Sequence, residues 1–150
     1  MTAETTKMPV LYVEDDGNDA FLLQLAFERA GVANAVRVAK DGQEAVDYLS
    51  GSGDFGNRER HPLPCLMLLD LNLPRLNGME VLRWVRGETR LKDLPVVVFT
   101  SSNQPSDRRQ ALEYGANDYI VKPLNMARME ELVRGLEQRW LNLPASGERG

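Results

Sequence analysis

Residues Cys65, Leu66, Met67, Leu68 and Leu69 form an apolar run without alternation that ends in Asp70, and turn formers from Pro74 to Gly78 follow. A half-exposed strand alternates apolar and polar residues. A short unbroken run bounded by turn signals is instead a strand buried on both faces, as in a parallel sheet. Such a strand delivers its last residue to the carboxyl edge of the sheet, where open α/β folds bind and react with ligands. Taken alone, Asp70 could equally cap a helix or open a turn. The rest of the chain narrows the choice.

Three further stretches are read as strands, the first two of them buried. Met8 to Val13 ends in Glu14, Asp15 and Asp16; Pro95 to Thr100 ends in a hydroxyl; Asp118 to Lys122 is followed by Pro123. Ala35 to Ala39 is a fifth, shorter strand. Helical segments lie between them. One runs from Gly17 to Ala30 and stops at Gly31, one is capped by Asp41 and ended by Gly51, and one follows Asn77 and Gly78. A fourth opens at Ser106 or Asp107 and closes at Gly115, and the last runs from about Asn125 to Trp140. Gly51 to Pro64 reads as a long loop of turn formers in which His61 is a solvated side chain. Regular strand–helix alternation implies a parallel sheet with helices on both faces. Right-handed crossovers favour the flavodoxin-like (βα)5 fold, with strand order 2-1-3-4-5.

At 150 residues the chain is expected to be one domain, with a core over about 8–141 between a polar N-terminal tail and a frayed C-terminal one. A formal net charge of -4 argues against binding nucleic acid, whose phosphates need a basic surface. No apolar run reaches membrane-spanning length, and the N-terminus lacks a signal-peptide core. The lone Cys65 permits no internal disulfide and fits a reducing, cytoplasmic setting.

In the expected order, Glu14, Asp15, Asp70, Thr100 and Lys122 share one carboxyl edge. Several carboxylates that close repel unless a cation or protons compensate them. Hard oxygen ligands in an incomplete cage suit Mg²⁺, and the turn at Asn72 can add a backbone carbonyl. A metal, a lysine and a hydroxyl around one aspartate are what phosphoryl transfer onto that carboxylate requires.

The chain resembles a response regulator receiver domain from Val10 to about Trp140, the phosphoacceptor half of two-component signalling. The resemblance implies that Asp70 is phosphorylated by a sensor histidine kinase. Glu14, Asp15, Asp70 and the Asn72 carbonyl would bind Mg²⁺, or Mn²⁺ in its place. It further implies that Thr100 and Tyr119 are the switch pair and that Lys122 contacts the phosphoryl group, followed by a cis bond before Pro123. Glu14 stands where many members have aspartate. More narrowly, the loop before Pro64, the sequence Leu71 to Pro74 and the ending Glu137 to Leu141 are similar to stand-alone regulators of bacterial phytochrome kinases, which implies a red or far-red signal.

Only Leu141 to Gly150 follow the last helix, so the expected readout is contact with a downstream protein or a phosphotransfer protein. Phosphorylation is expected to swing Tyr119 inward. Trp140, with Leu141 and Leu143, is expected to leave an apolar patch for a homodimer. Three rivals are weaker. An aspartate-nucleophile phosphohydrolase wants a carboxylic acid two residues after the nucleophile, and Asn72 stands there. A flavodoxin-like cofactor binder wants an anion-binding loop where this chain has Glu14 to Gly17. A docking-only pseudo-receiver would lack phosphorylation residues that are all present.

Overall fold

The computed structural model describes residues 8–141; the polar N-terminal tail, Leu143 and the tail from Pro144 lie outside them. The elements alternate: β1 (Val10–Val13), α1 (Gly17–Ala30), β2 (Val36–Ala39), α2 (Gly42–Ser50), β3 (Leu66–Leu69), α3 (Gly78–Gly87), β4 (Val96–Thr100), α4 (Pro105–Glu113), β5 (Asp118–Val121) and α5 (Met126–Leu136). All strand pairs are parallel and the order is β2-β1-β3-β4-β5. The flavodoxin-like arrangement expected from the alternation is therefore the one observed.

Side-chain alternation divides the core in two. Leu11, Val13, Met67, Leu69, Val96 and Val98 face α2 and α3, against Leu49, Val81, Leu82 and Val85. Val10, Tyr12, Leu66, Leu68, Val97 and Phe99 face α1 and α5, against Leu23, Phe27, Met129 and Val133. The inner strands β1, β3 and β4 read as unbroken apolar runs because each face is covered.

Helix boundaries follow their caps. Asp16 accepts from the Asn18 and Asp19 amides, Asp41 from Glu44, and Asn77 and Glu80 form a reciprocal capping box. The opening of α4 differs from expectation. It starts at Pro105, where a fixed φ and a missing N–H cost nothing in a first turn. The last helix changes register too: α5 gives way to a π-helical turn over Glu137–Leu141. The wider turn carries Leu141 into the core at 7% exposure and leaves Trp140 half-buried against the α1/α5 side. Of the patch expected at Trp140, Leu141 is thus spent on core packing and Leu143 lies outside the described residues.

Gly51 to Pro64 is more ordered than a loop of turn formers suggests. Gly53–Gly56 forms a short 3-10 helix. Arg58 donates to the carbonyls of Tyr48, Leu49 and His61, satisfying the open end of α2. His61 is not solvated as expected: its ring stands edge-on to Phe55 at 5.1 Å and to Tyr48 at 6.0 Å.

Candidate functional site

β1 and β3 end side by side, with Val13 opposite Leu69 and the Asp70 amide donating to the Val13 carbonyl at 3.1 Å. Glu14 and Asp70 therefore leave the sheet together. On the other flank the Lys122 amide donates to the Thr100 carbonyl at 2.8 Å, which sets Lys122 just past the end of β5. Its side chain folds back across the edge. Nζ lies 3.0 Å from Asp70 Oδ2 and 2.8 Å from Asp19 Oδ2, and it also bonds Glu14 Oε1. Asp70 is 4% exposed and Thr100 fully buried. At the start of α3, a Cβ on Gly78 would collide with the Asp70 carbonyl and the Leu71 Cα, so only glycine lets that helix abut the Asp70 backbone.

Comparison with known proteins fits this geometry. The response regulator receiver domain family matches residues 10–134. The chain belongs to that family. It is similar to the probable methanogenesis regulatory protein FilR2 of Methanothrix harundinacea, 38% identical over 88% of this chain and 83% of that one. It is also similar to response regulator Rcp1 of Synechocystis, 35% identical over 91% of this chain and 93% of the relative. The Mn²⁺-bound crystal structure of Rcp1 superposes with a TM-score of 0.80, covering 92% of this chain and 99% of that one. The bacteriophytochrome response regulator RtBRR, at 42% identity and covering 96% of this chain and 87% of its own, gives a TM-score of 0.75.

Within this receiver the two members of the acidic pair are placed differently. Glu14 is 2% exposed, and three donors hold its carboxylate. Oε1 accepts from Lys122 and from the Tyr12 hydroxyl at 2.9 Å, and Oε2 from the Asp16 amide at 3.1 Å. Asp15 is exposed to solvent. Among the described residues no three acidic, histidine or cysteine side chains converge as a metal cage. The oxygens expected to serve a cation are the carboxylates of Asp15, just past the end of β1, and Asp70, with the Asn72 carbonyl two residues on. That hard-oxygen set fits a cation that keeps much of its water. Glu14, also expected to serve the cation, has its carboxylate bonded to Lys122, Tyr12 and the Asp16 amide.

Burial dominates the electrostatics of Glu14 and raises its pKa, against the lowering effect of the Lys122 and Asp16 bonds. Lys122 goes the other way in balance. Burial pulls its pKa down, but the bonds from Asp19, Glu14 and Asp70 outweigh this and the net shift is upward. The ammonium is thus the group that makes the buried carboxylates tolerable. Tyr12 is pushed upward by burial and then by Glu14, which keeps its hydroxyl protonated as a donor.

Three expectations change. Every described peptide bond is trans, the one before Pro123 included. The trans preference of an X–Pro bond is small, about 0.5–1 kcal/mol, and Lys122 reaches Asp70 with the trans form, so nothing at the site demands cis. Tyr119 is already inward, 4% exposed, with its hydroxyl donating to the Ser102 carbonyl at 2.9 Å and Arg108 5.8 Å from its ring centroid. Trp140, expected to leave an apolar patch for a homodimer, is half-buried against the α1/α5 side of the core.

Two participants were not singled out from the sequence. Asp19 looks like an ordinary acid in the first turn of α1, where the dipole favours it. The cue was its place: in the first turn of the helix that leaves the end of β1, it comes back over the sheet edge. Tyr12 looks like strand core. Its cue was the period of two, which puts it on the same face as Glu14.

Proposed function

We propose that this receiver accepts a phosphoryl group on Asp70 from a sensor histidine kinase of the bacterial phytochrome type. One observation carries the reading: Asp70 is a nearly buried carboxylate paired with Lys122, 3.0 Å away at the carboxyl edge of the sheet. An Asp70 oxygen attacks phosphorus, and the bond to the donor breaks with its electron pair leaving on the donor. Lys122 follows the new negative charge, and the Thr100 hydroxyl donates to it from the neighbouring strand. Asp15, Asp70 and the Asn72 carbonyl are the groups that would hold Mg²⁺ or Mn²⁺, which stabilises charge on the transferring oxygens. Rcp1, a similar protein, binds Mn²⁺. The relatives that are bacteriophytochrome regulators support the choice of kinase.

The readout is a cytoplasmic protein contact, with a downstream target, a phosphotransfer protein or a second copy of this chain. Three of the large apolar side chains exposed among the described residues support that face: Leu112 on α4, Val121 on β5 and Leu124 in the turn before α5, the last fully exposed. They replace Trp140 as the surface for a homodimer. Tyr119 couples it to the site through its hydroxyl bond to Ser102, two residues past Thr100.

Incubating the protein with Mg²⁺ and a small acyl phosphate, followed by intact-mass analysis, tests the reading. Wild type should gain one phosphoryl group and Asp70→Asn none. Modification that persists in Asp70→Asn would reject it.

A further inference from the structure

Tyr12 is fully buried on a strand face whose other members, Val10, Leu66, Leu68, Val97 and Phe99, are all apolar. Its ring does what they do, packing on Phe99 with centroids 5.8 Å apart. A phenylalanine would fill the same space. The hydroxyl is the exception, and it is spent on Glu14 Oε1 at 2.9 Å, the same oxygen that receives Lys122. A carboxylate offers about four acceptor sites. Three donors take up three of those on Glu14: Tyr12, Lys122 and the Asp16 amide. A cation at the edge would have to draw the carboxylate away from these bonds to recruit it.

We propose that the Tyr12 hydroxyl is a positioning residue of this receiver, holding Glu14 inward on Lys122 and so leaving the cation edge to Asp15, Asp70 and the Asn72 carbonyl. This rests on the metal-dependent phosphoacceptor reading given above. Glu14 then serves as the resting counterion of Lys122 rather than as a ligand. Removing the hydroxyl loosens that hold, and the side chain becomes available as a third carboxylate at the edge. Cation binding should tighten as a result, the opposite of what a generally damaged site would do.

Calorimetric titration of Mg²⁺ into the full chain tests this with wild type, Tyr12→Phe, Glu14→Gln and the double variant. Tyr12→Phe should bind Mg²⁺ about tenfold more tightly, the scale of one hydrogen bond to a charged group. The gain should disappear in the Glu14→Gln background. An unchanged or weaker affinity in Tyr12→Phe overturns the proposal, even if that variant melts at a lower temperature. So does an equal gain in the Glu14→Gln background. If wild type itself binds no Mg²⁺, both this inference and the metal-dependent reading fall; if wild type binds and Tyr12→Phe is unshifted, only this inference does.

Discussion

Two cations brace opposite edges of the same sheet, and their partners differ in kind. At the carboxyl edge Lys122 bonds three carboxylates, Glu14, Asp19 and Asp70. At the amino edge Arg86 donates only to neutral acceptors: the carbonyls of Gly115 at 2.9 Å, Leu94 at 2.8 Å, Lys92 at 3.3 Å and Leu91 at 3.4 Å, and Asn117 Oδ1 at 2.8 Å. Asn117 in turn exchanges two hydrogen bonds with Val96, at 2.8 and 2.7 Å, tying the starts of β4 and β5 together. Burial lowers the Arg86 pKa, partly offset by Asp93, whereas the carboxylates raise that of Lys122 above what burial alone would leave. A planar guanidinium spread over fixed carbonyls has one geometry and nowhere else to go. An ammonium shared among carboxylates can shift toward a new anion while keeping old partners. The first arrangement holds shape; the second can respond to a phosphoryl group.

The widest separation between the two should come from deleting the lysine. Lys122→Met leaves Glu14 buried without its counterion, and breaking such a pair costs about 3–5 kcal/mol. The loss should depend on pH. With its folded pKa raised by burial, and raised further without the lysine, Glu14 binds a proton in the folded state before it does in the unfolded one. Stability of the variant should therefore rise as pH falls through that raised pKa toward the ordinary carboxylate value. Wild type should show the complementary alkaline limb. A lysine whose folded pKa is raised contributes fully below its ordinary value of 10.5 and is lost above it, a limb the variant should lack. Urea unfolding at pH 5, 7 and 11 decides. A variant as stable as wild type at pH 7 would erase the contrast.

Arg86→Met probes the other edge. Five acceptors lose one donor, and several of them can turn to water, so the expected cost is about 1–3 kcal/mol. None of the five acceptors is a carboxylate, so the cost should vary little between pH 5 and 8. Phosphorylation of Asp70 in the folded protein should be unchanged. A variant that folds but cannot be phosphorylated would mean that the two edges are coupled through β4.

The two edges were also unequally legible in the sequence. Asp70, Thr100 and Lys122 end strands that are unbroken apolar runs, and once the sheet order is fixed their meeting follows. The Arg86 brace left no such trace, because its partners are main-chain carbonyls that every residue carries. Its one cue is Gly115, which sits at φ +107° and whose Cβ would crowd the Arg86 side chain at 2.9 Å; read from the sequence it is only a helix stop. The same limit explains the orientation of Glu14. Sequence puts three acids at the end of β1, but which one turns inward depends on the Tyr12 hydroxyl and on the side chain of Lys122. The π-helical turn escaped because Trp140 and Leu141 are both apolar, and either could have continued the stripe of α5.

The smallest expected effect sharpens the contrast most finely. Asp19 is the outermost of the three carboxylates on Lys122, its side chain 37% exposed against 6% for Asp70 and 1% for Glu14. Asp19→Asn keeps an oxygen acceptor for the ammonium and removes only the charge. An ion pair in that position is screened by solvent, so its loss should cost less than about 1 kcal/mol. The cost should also fade with salt, since the screening length falls to about 3 Å at 1 M. Thermal melts of wild type and Asp19→Asn at low and high salt measure it. If the difference survives high salt, it does not come from a screened charge at Asp19, and the ammonium is not held there by long-range attraction. If it vanishes, the lysine is held by charge, which is the condition for its release toward a new anion on Asp70.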